Sequence, residues 1–468
     1  MTLIRERSFY KTLLTLAIPA ALQQLISFAV SMADNVMVGS LGEAALGAVS
    51  QANRIGTFMM LFIKGVSAGT AVLISQYWGK KDLPRIKRIF AVGFQVSLLV
   101  ALVFFGFAWG APRQTLLLLT DNEVLIGAGI PYLRLVAWSY LLWAVSENLI
   151  VMLRCVEIVR VSIVVSTASL FLNIGANYVL IFGRLGFPAL GVRGAAYATV
   201  FARFCELAIV VLFIAFREKR LCLQPRDFLI GSREMWGRYL RYGTPLVMAD
   251  VIWGFVGLLK GVIIGRLGTD AVAASSISDV VLDLVMMFMR GMAAASGVII
   301  GKTVGEKAYD RTRACSETMQ VLFFAFGILA AGLTLVLRNF VVDFYNVSAS
   351  TRAAAKEFLI YGALTVWGTG YAAGCFQGIN RGSSDVKFVL RVNLLCGFGL
   401  VLPLSALGAF VWHVPAAIVI FFTRIDQIIK VPIAFFRLRG DRWITNVTEK
   451  HQDGISDHRT GPCGLFPL

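Results

Sequence analysis

The chain has 468 residues, 57% of them hydrophobic and only 15% charged, with a mean hydropathy of +0.75. A soluble chain of this length would divide into two or three domains and carry far more charge, so that class is excluded. The formal net charge of +17 invites a nucleic-acid partner, but its distribution excludes one: the cations punctuate the short loops between apolar runs.

Apolar windows of about 20 residues, the length that crosses a hydrocarbon core, recur from Leu13 to Phe436. They predict twelve transmembrane spans, at 13–38, 46–77, 89–109, 132–153, 162–182, 194–216, 243–265, 272–301, 317–337, 358–379, 388–410 and 414–436. The runs are continuous rather than alternating, which excludes a β-barrel and predicts an all-α integral membrane protein. The first run is too long for a cleavable signal peptide and is expected to act as the insertion signal. Most of the Lys and Arg fall in Arg5–Lys11, Lys80–Arg88, Arg154–Arg160, Arg217–Arg241, Lys302–Arg313, Arg381–Arg391 and Arg437–Lys450, alternate connections that share one side of the membrane. By the positive-inside rule that side is cytoplasmic, with both termini on it and anionic membrane lipids as its neighbours. The seven cysteines have no metal or redox spacing, and no disulfide is expected. The tail 449–468 lacks periodicity and is expected to be disordered.

The chain partly matches itself at a shift of 226 positions, the separation of Pro19 from Pro245. At that shift Gly39, Leu41 and Gly42 meet Gly265, Leu267 and Gly268. Gly65 meets Gly291, Gly79 meets Gly305 and Lys81 meets Lys307. Apolar bias alone would not align so many Gly and Pro. Each half holds an even number of spans, so the second enters from the same side as the first. Two parallel-repeat six-helix lobes are predicted, 1–216 and 243–448, joined by a basic, amphipathic linker at 217–242.

A charged or polar residue within a span is expensive and asks for an explanation. Ser27, Ser31 and Asp34 share one face of the first span. A carboxylate in a medium of low dielectric can cycle protons near neutral pH, so Asp34 is a candidate for protonation or cation coordination. Asn173 and Asn177, one turn apart in the fifth span, either line a polar cavity beside it or join helices. The seventh span carries Asp250, Trp253 and Lys260 on roughly one face, and Lys260 occupies the repeat position of Asp34. Asp279 and Asp283 follow in the eighth span, and one of them is expected to neutralise Lys260. Lys64 and Arg290 are repeat mates in mid-span, which suggests a cavity with positive lining. Glu147 and Arg154 share a face of the fourth span. No P-loop, zinc spacing or clustered catalytic set is present, so no enzyme and no cofactor is expected. Transport would have to draw on an H+ or Na+ gradient, with Asp34 as its reader.

Met32-Ala-Asp34-Asn-Val-Met-Val-Gly-Ser-Leu-Gly42, with Pro19 fifteen residues before the acid, resembles the first helix of the multidrug and toxic compound extrusion (MATE) family. Gln76-Tyr-Trp-Gly79, the segment from Leu172-Asn173 through Asn177-Tyr178 to Gly194-Ala, and Gly440-Asp-Arg-Trp443 are similar to that family as well, so the resemblance covers about 10–448. It implies two six-helix lobes around a V-shaped cavity, and alternating-access export of small organic compounds in exchange for H+ or Na+ from the plasma membrane of a bacterium. It also implies Asp34 as the coupling carboxylate with Asn173 and Asn177 as its partners, and an acid in the seventh helix near Asp250. Ser31, Trp253, Lys260, Lys64, Arg290 and Asp283 are the remaining candidates for lining the substrate cavity. Lys64, Lys260 and Arg290 add positive charge where lipophilic cations would prefer negative, which leaves zwitterionic or anionic substrates open. Two alternatives stand beside this reading: a flippase for an anionic lipid-linked precursor, and a major-facilitator-type transporter, which the segment Gly79-Lys-Lys-Asp82 superficially suits. A monomer is expected.

Overall fold

The computed structural model describes residues 3–448 apart from 219, 222, 229–231, 344 and 346. The tail at 449–468 lies outside the described residues. Among the described residues the main helices group into twelve rods, some continuous and some interrupted. The first half holds α1 (Arg7–Gly39), α2 (Glu43–Gly79), α3 (Leu83–Gly110), α4 (Glu123–Cys155), α5 (Arg160–Phe182) and α6 (Val192–Phe216). The second holds α7 (Thr244–Gly265), α8 (Thr269–Gly305), α9 (Tyr309–Asp343), α10 (Ala349–Ala372, continued by a π turn over Ala373–Asn380), α11 (Val386–Phe410) and α12. The last of these is broken into Ala416–Phe422 and Asp426–Arg439. Among the described residues ten rods are long and apolar enough to cross a membrane; of the two that complete the predicted twelve, α12 is broken into pieces of 7 and 14 residues, and α10 is interrupted by its π turn.

The repeat reappears in the backbone. Gly42 and Gly268, which open α2 and α8, have φ of 113° and 110°, a conformation that glycine reaches without steric cost. Just past the far ends of the same helices, the mated Lys81 and Lys307 both turn left-handed, at φ 59° and 61°. Asp82 then caps α3 by accepting the Arg85 N–H at 3.2 Å, with Pro84 in the first turn.

The two halves meet through repeat-related contacts. A Cβ at Gly65 of α2 would stand 2.8 Å from Val247 Cα of α7, and a Cβ at Gly291 of α8 would stand 2.8 Å from the N of Ala21 of α1. Ala21 and Val247 are themselves repeat mates. At the basic end Gly79 lies against the carbonyl of Lys302 and Gly305 against that of Gln76, again a mated pair. The basic half of α1 is therefore packed in the second half's core, where Phe9, Leu13, Leu16 and Ala17 are buried. Its far end returns to the first half, where Val38 is buried with residues of α2 to α6.

Gln76 fastens this end. Its amide nitrogen faces the carbonyls of Gly382 (3.1 Å) and Thr445 (3.2 Å) and the Ser384 hydroxyl (3.0 Å), and its oxygen accepts the Val447 N–H at 2.9 Å. At the other end, the repeat-mated Val36 of α1 and Val262 of α7 are 66% and 58% exposed.

The helix of the linker is amphipathic and packs part of its apolar side against protein. Its helix Arg233–Tyr242 buries Met235 and Tyr239 in the first half's core. Phe228 packs edge-on against Phe90 and Phe94, Lys87 pairs with Asp227 at 2.9 Å, and Arg238 donates to Tyr77 Oη and the Val447 carbonyl.

Candidate functional site

In the first half the helices bring Asp34, Asn173 and Asn177 together. Asn177 donates its amide N–H to Asp34 Oδ1 at 2.5 Å and faces Asn173 Oδ1 at 3.2 Å. Both asparagines are buried, and Asp34 is half-buried. The i, i+4 spacing on α5 places the two amides on one face, and the far half of α1 lays its carboxylate across it. Asn177 Oδ1 is buried without a hydrogen-bond partner. Asp34, Asn173 and Asn177 thus bring a carboxylate and two amide oxygens together on one side of the first half.

Two charged residues of α6 that the sequence analysis did not single out lie on the neighbouring helix. Glu206 of α6 is buried, paired with Arg203 at 2.5 Å, and accepts hydrogen bonds from Ser146 of α4 at 2.9 Å and Ser169 of α5 at 3.4 Å. The Arg203 charge acts on Asp34, and the buried Tyr132 lies close enough to feel the Asp34 charge while donating to Asn53 Oδ1 at 3.0 Å. Arg203 and Glu206 stand inside a predicted span, so the rule that singled out Asp34 reaches them too. Ser31 does not join the centre: it is exposed and its hydroxyl bonds back to the Ser27 carbonyl at 3.2 Å.

The second half distributes its charges differently from expectation. Asp250 pairs with Arg381 at the end of α10, so it belongs to the basic end and not to a cavity with Lys260. Neither expected acid neutralises Lys260. Asp283 pairs with Arg290 at 2.5 Å along α8, and Asp279 pairs with Arg424 of α12. Arg290 is therefore an exposed, neutralised pair and not the partner of Lys64 in a positive lining; Lys64 itself is exposed. Arg154 bonds to Gln23 Oε1 at 2.8 Å and not to Glu147. Lys260 instead lines a small cavity with Trp253, Asn393, Asp426 and Lys430. Among the described residues no three His, Cys, Asp or Glu side chains cluster as a metal site would need.

The chain matches the family described as MatE over residues 19–179 and 245–407, one match in each half. The chain belongs to the MatE family. The two matched segments start at the mated prolines Pro19 and Pro245, so the family match and the internal repeat mark the same division. Curated relatives agree. MdtK of Photorhabdus laumondii, named a multidrug resistance protein, is 23% identical over 413 residues, covering 87% of this chain and 89% of its own. PmpM of Pseudomonas aeruginosa, with the same description, is 25% identical over 416 residues, covering 87% and 86%. NorM of Bacillus cereus, a probable multidrug resistance protein, is 26% identical over 399 residues, covering 84% and 87%. Among solved structures, a mutant of the Vibrio cholerae MATE transporter VcmN superposes with a TM-score of 0.84 at 18% identity, covering 92% of this chain and 96% of that one. The eukaryotic MATE transporter AtDTX14 gives 0.80 at 16%, covering 93% and 96%. The two-lobed membrane fold of this MatE chain is that of the solved MATE transporters.

Proposed function

We propose that this MatE-family chain is a multidrug exporter of small organic compounds that works by alternating access, with Asp34 exchanging H+ or Na+ for substrate. The observation that carries this reading is the Asp34–Asn177–Asn173 arrangement: a carboxylate on the helix that changes lobes along its length, held by buried amides of one lobe. An ion bound there changes the charge of α1 where it leaves the seam, so its arrival and release can bias the packing of the two halves. For Na+, Asp34, Asn173 Oδ1 and Asn177 Oδ1 would supply oxygens once the Asn177 amide turns. For H+, the carboxylate alone suffices. The names of MdtK, PmpM and NorM support drug efflux. The cation-rich end is read as cytoplasmic, with both termini on it, in the plasma membrane of a bacterium, and the unit as a monomer.

Purified protein in liposomes tests this, with a proton or a sodium gradient imposed in turn and efflux of a cationic dye followed. Gradient-driven efflux by the parent, lost in Asp34→Asn, supports the reading, and the gradient that works identifies the ion. Unchanged coupling in Asp34→Asn refutes it.

A further inference from the structure

The two halves carry mated centres of opposite charge. In the first, Asp34 of α1 faces Arg203 of α6, whose own partner is Glu206, so the group carries one negative charge in excess. In the second, Lys260 takes the repeat position of Asp34 on α7, and Asp426 and Lys430 stand on α12, the mate of α6, one positive charge in excess. Asn393 of α11 joins the second centre, as Asn173 and Asn177 of α5 join the first.

The charges of the second centre are spoken for except one. Lys430 pairs with Asp426 at 2.8 Å, both nearly fully buried, and Gln427 donates to the same carboxylate oxygen at 2.6 Å. The other oxygen, Asp426 Oδ1, has no partner, but it sits on a carboxylate already balanced by Lys430. Arg424 and Asp279, the other charges acting on Lys260, neutralise each other. Among the described residues Lys260 has neither a hydrogen bond nor an ion pair, although it is half-buried. The cavity it lines is about 10 Å³, space for one water-sized group. Trp253, two turns away on the same helix, borders that cavity with 55% of its surface free. A lone ammonium in a membrane-embedded lobe is costly unless an anion meets it.

We infer that the cavity lined by Lys260, Asn393, Lys430 and the Lys430-paired carboxylate of Asp426 binds one monovalent anionic group against Lys260. The group is either the carboxylate of an aromatic substrate whose ring lies on Trp253, or a free chloride. This rests on the export reading and narrows its substrate class: a compound that carries an acid, alone or beside a cationic group.

The test uses the full chain in detergent and in liposomes with a matched pair of fluorescent compounds, a carboxylic acid and its methyl ester. The parent is expected to bind the acid at least about tenfold more tightly than the ester in gluconate buffer, with the preference lost in Lys260→Met and retained in Lys260→Arg. That result assigns the anion to the substrate. A chloride-dependent change in ester binding, lost in Lys260→Met, assigns it to free chloride. A parent that shows neither acid preference nor chloride response overturns the inference without any variant. So does a Lys260→Met protein that keeps the parental response. Efflux of a cationic dye by the same preparations, sensitive to Asp34→Asn, separates failure of this inference from failure of the export reading.

Discussion

Asp34 and Glu206 lie on neighbouring helices, and each is held in a different way. Asp34 has a single side-chain donor, Asn177, and no second side-chain hydrogen bond, so less of its charge is committed to structure. Glu206 is enclosed by Arg203, Ser146 and Ser169, so its charge is committed to structure. Removing one partner of a buried pair strands the other. Glu206→Ala is therefore expected to cost about 3 kcal/mol, read as a clear fall in melting temperature in detergent. The Arg290–Asp283 pair is about half exposed on both sides. Arg290→Ala should shift stability by no more than about 0.5 kcal/mol in the same assay. Asp34, Asn173 and Asn177 were legible in the sequence because polarity inside a span is rare. Which acid meets which base was not, since partners such as Asp279 and Arg424 come from distant helices.

At the scale of elements, the crossing of α2 and α8 depends on two glycines. The atoms that a Cβ would meet at Gly305 are the Gln76 carbonyl and Cα, backbone that has no flexible end to swing away. Gly305→Ala is expected to weaken the seam by about 1–3 kcal/mol and to lower transport, whereas Gly332→Ala in α9, with open space around it, should be neutral or slightly stabilising. Transport rates and melting curves of the two variants side by side check this. The repeat made the mating of Gly79 with Gly305 legible. That the mated glycines lie against one another's helices, across the seam, required the assembled halves. The linker shows the same limit: its basic, amphipathic pattern was readable, but the surface receiving Met235 and Tyr239 is assembled from α2, α3 and α4.

For the whole molecule, alternating access requires that the basic end open. Gln76 is placed to resist it, because its amide bonds α2 to the turn before α11 and to the segment after α12. Replacing it with alanine removes several buried hydrogen bonds, about 2 kcal/mol in sum, and should shift the population toward a form open at that end. A cysteine at the buried Ser75, labelled by an impermeant thiol reagent applied from the basic side, should react several-fold faster in the Gln76→Ala background. Equal labelling rates would mean that the seam is held elsewhere, for example by Lys302 and Glu157, which pair at 2.5 Å.

The sequence by itself determined that the chain spans a membrane as two parallel copies of a six-helix unit, and which end bears the cations. Those properties follow from local quantities: the length of apolar runs, the recurrence of Gly and Pro at one spacing, and the charge of short loops. It also marked Asp34 and Lys260 as mated positions of opposite sign. Only the tertiary structure decided that Asp34 is held by Asn177 beside Arg203, that Asp250 and Asp283 serve other cations, and that Lys260 is left facing Asp426 and Lys430 with a positive charge in excess. Charge pairing acts over a few ångströms in three dimensions, and helix packing, not distance along the chain, sets which groups come within that range.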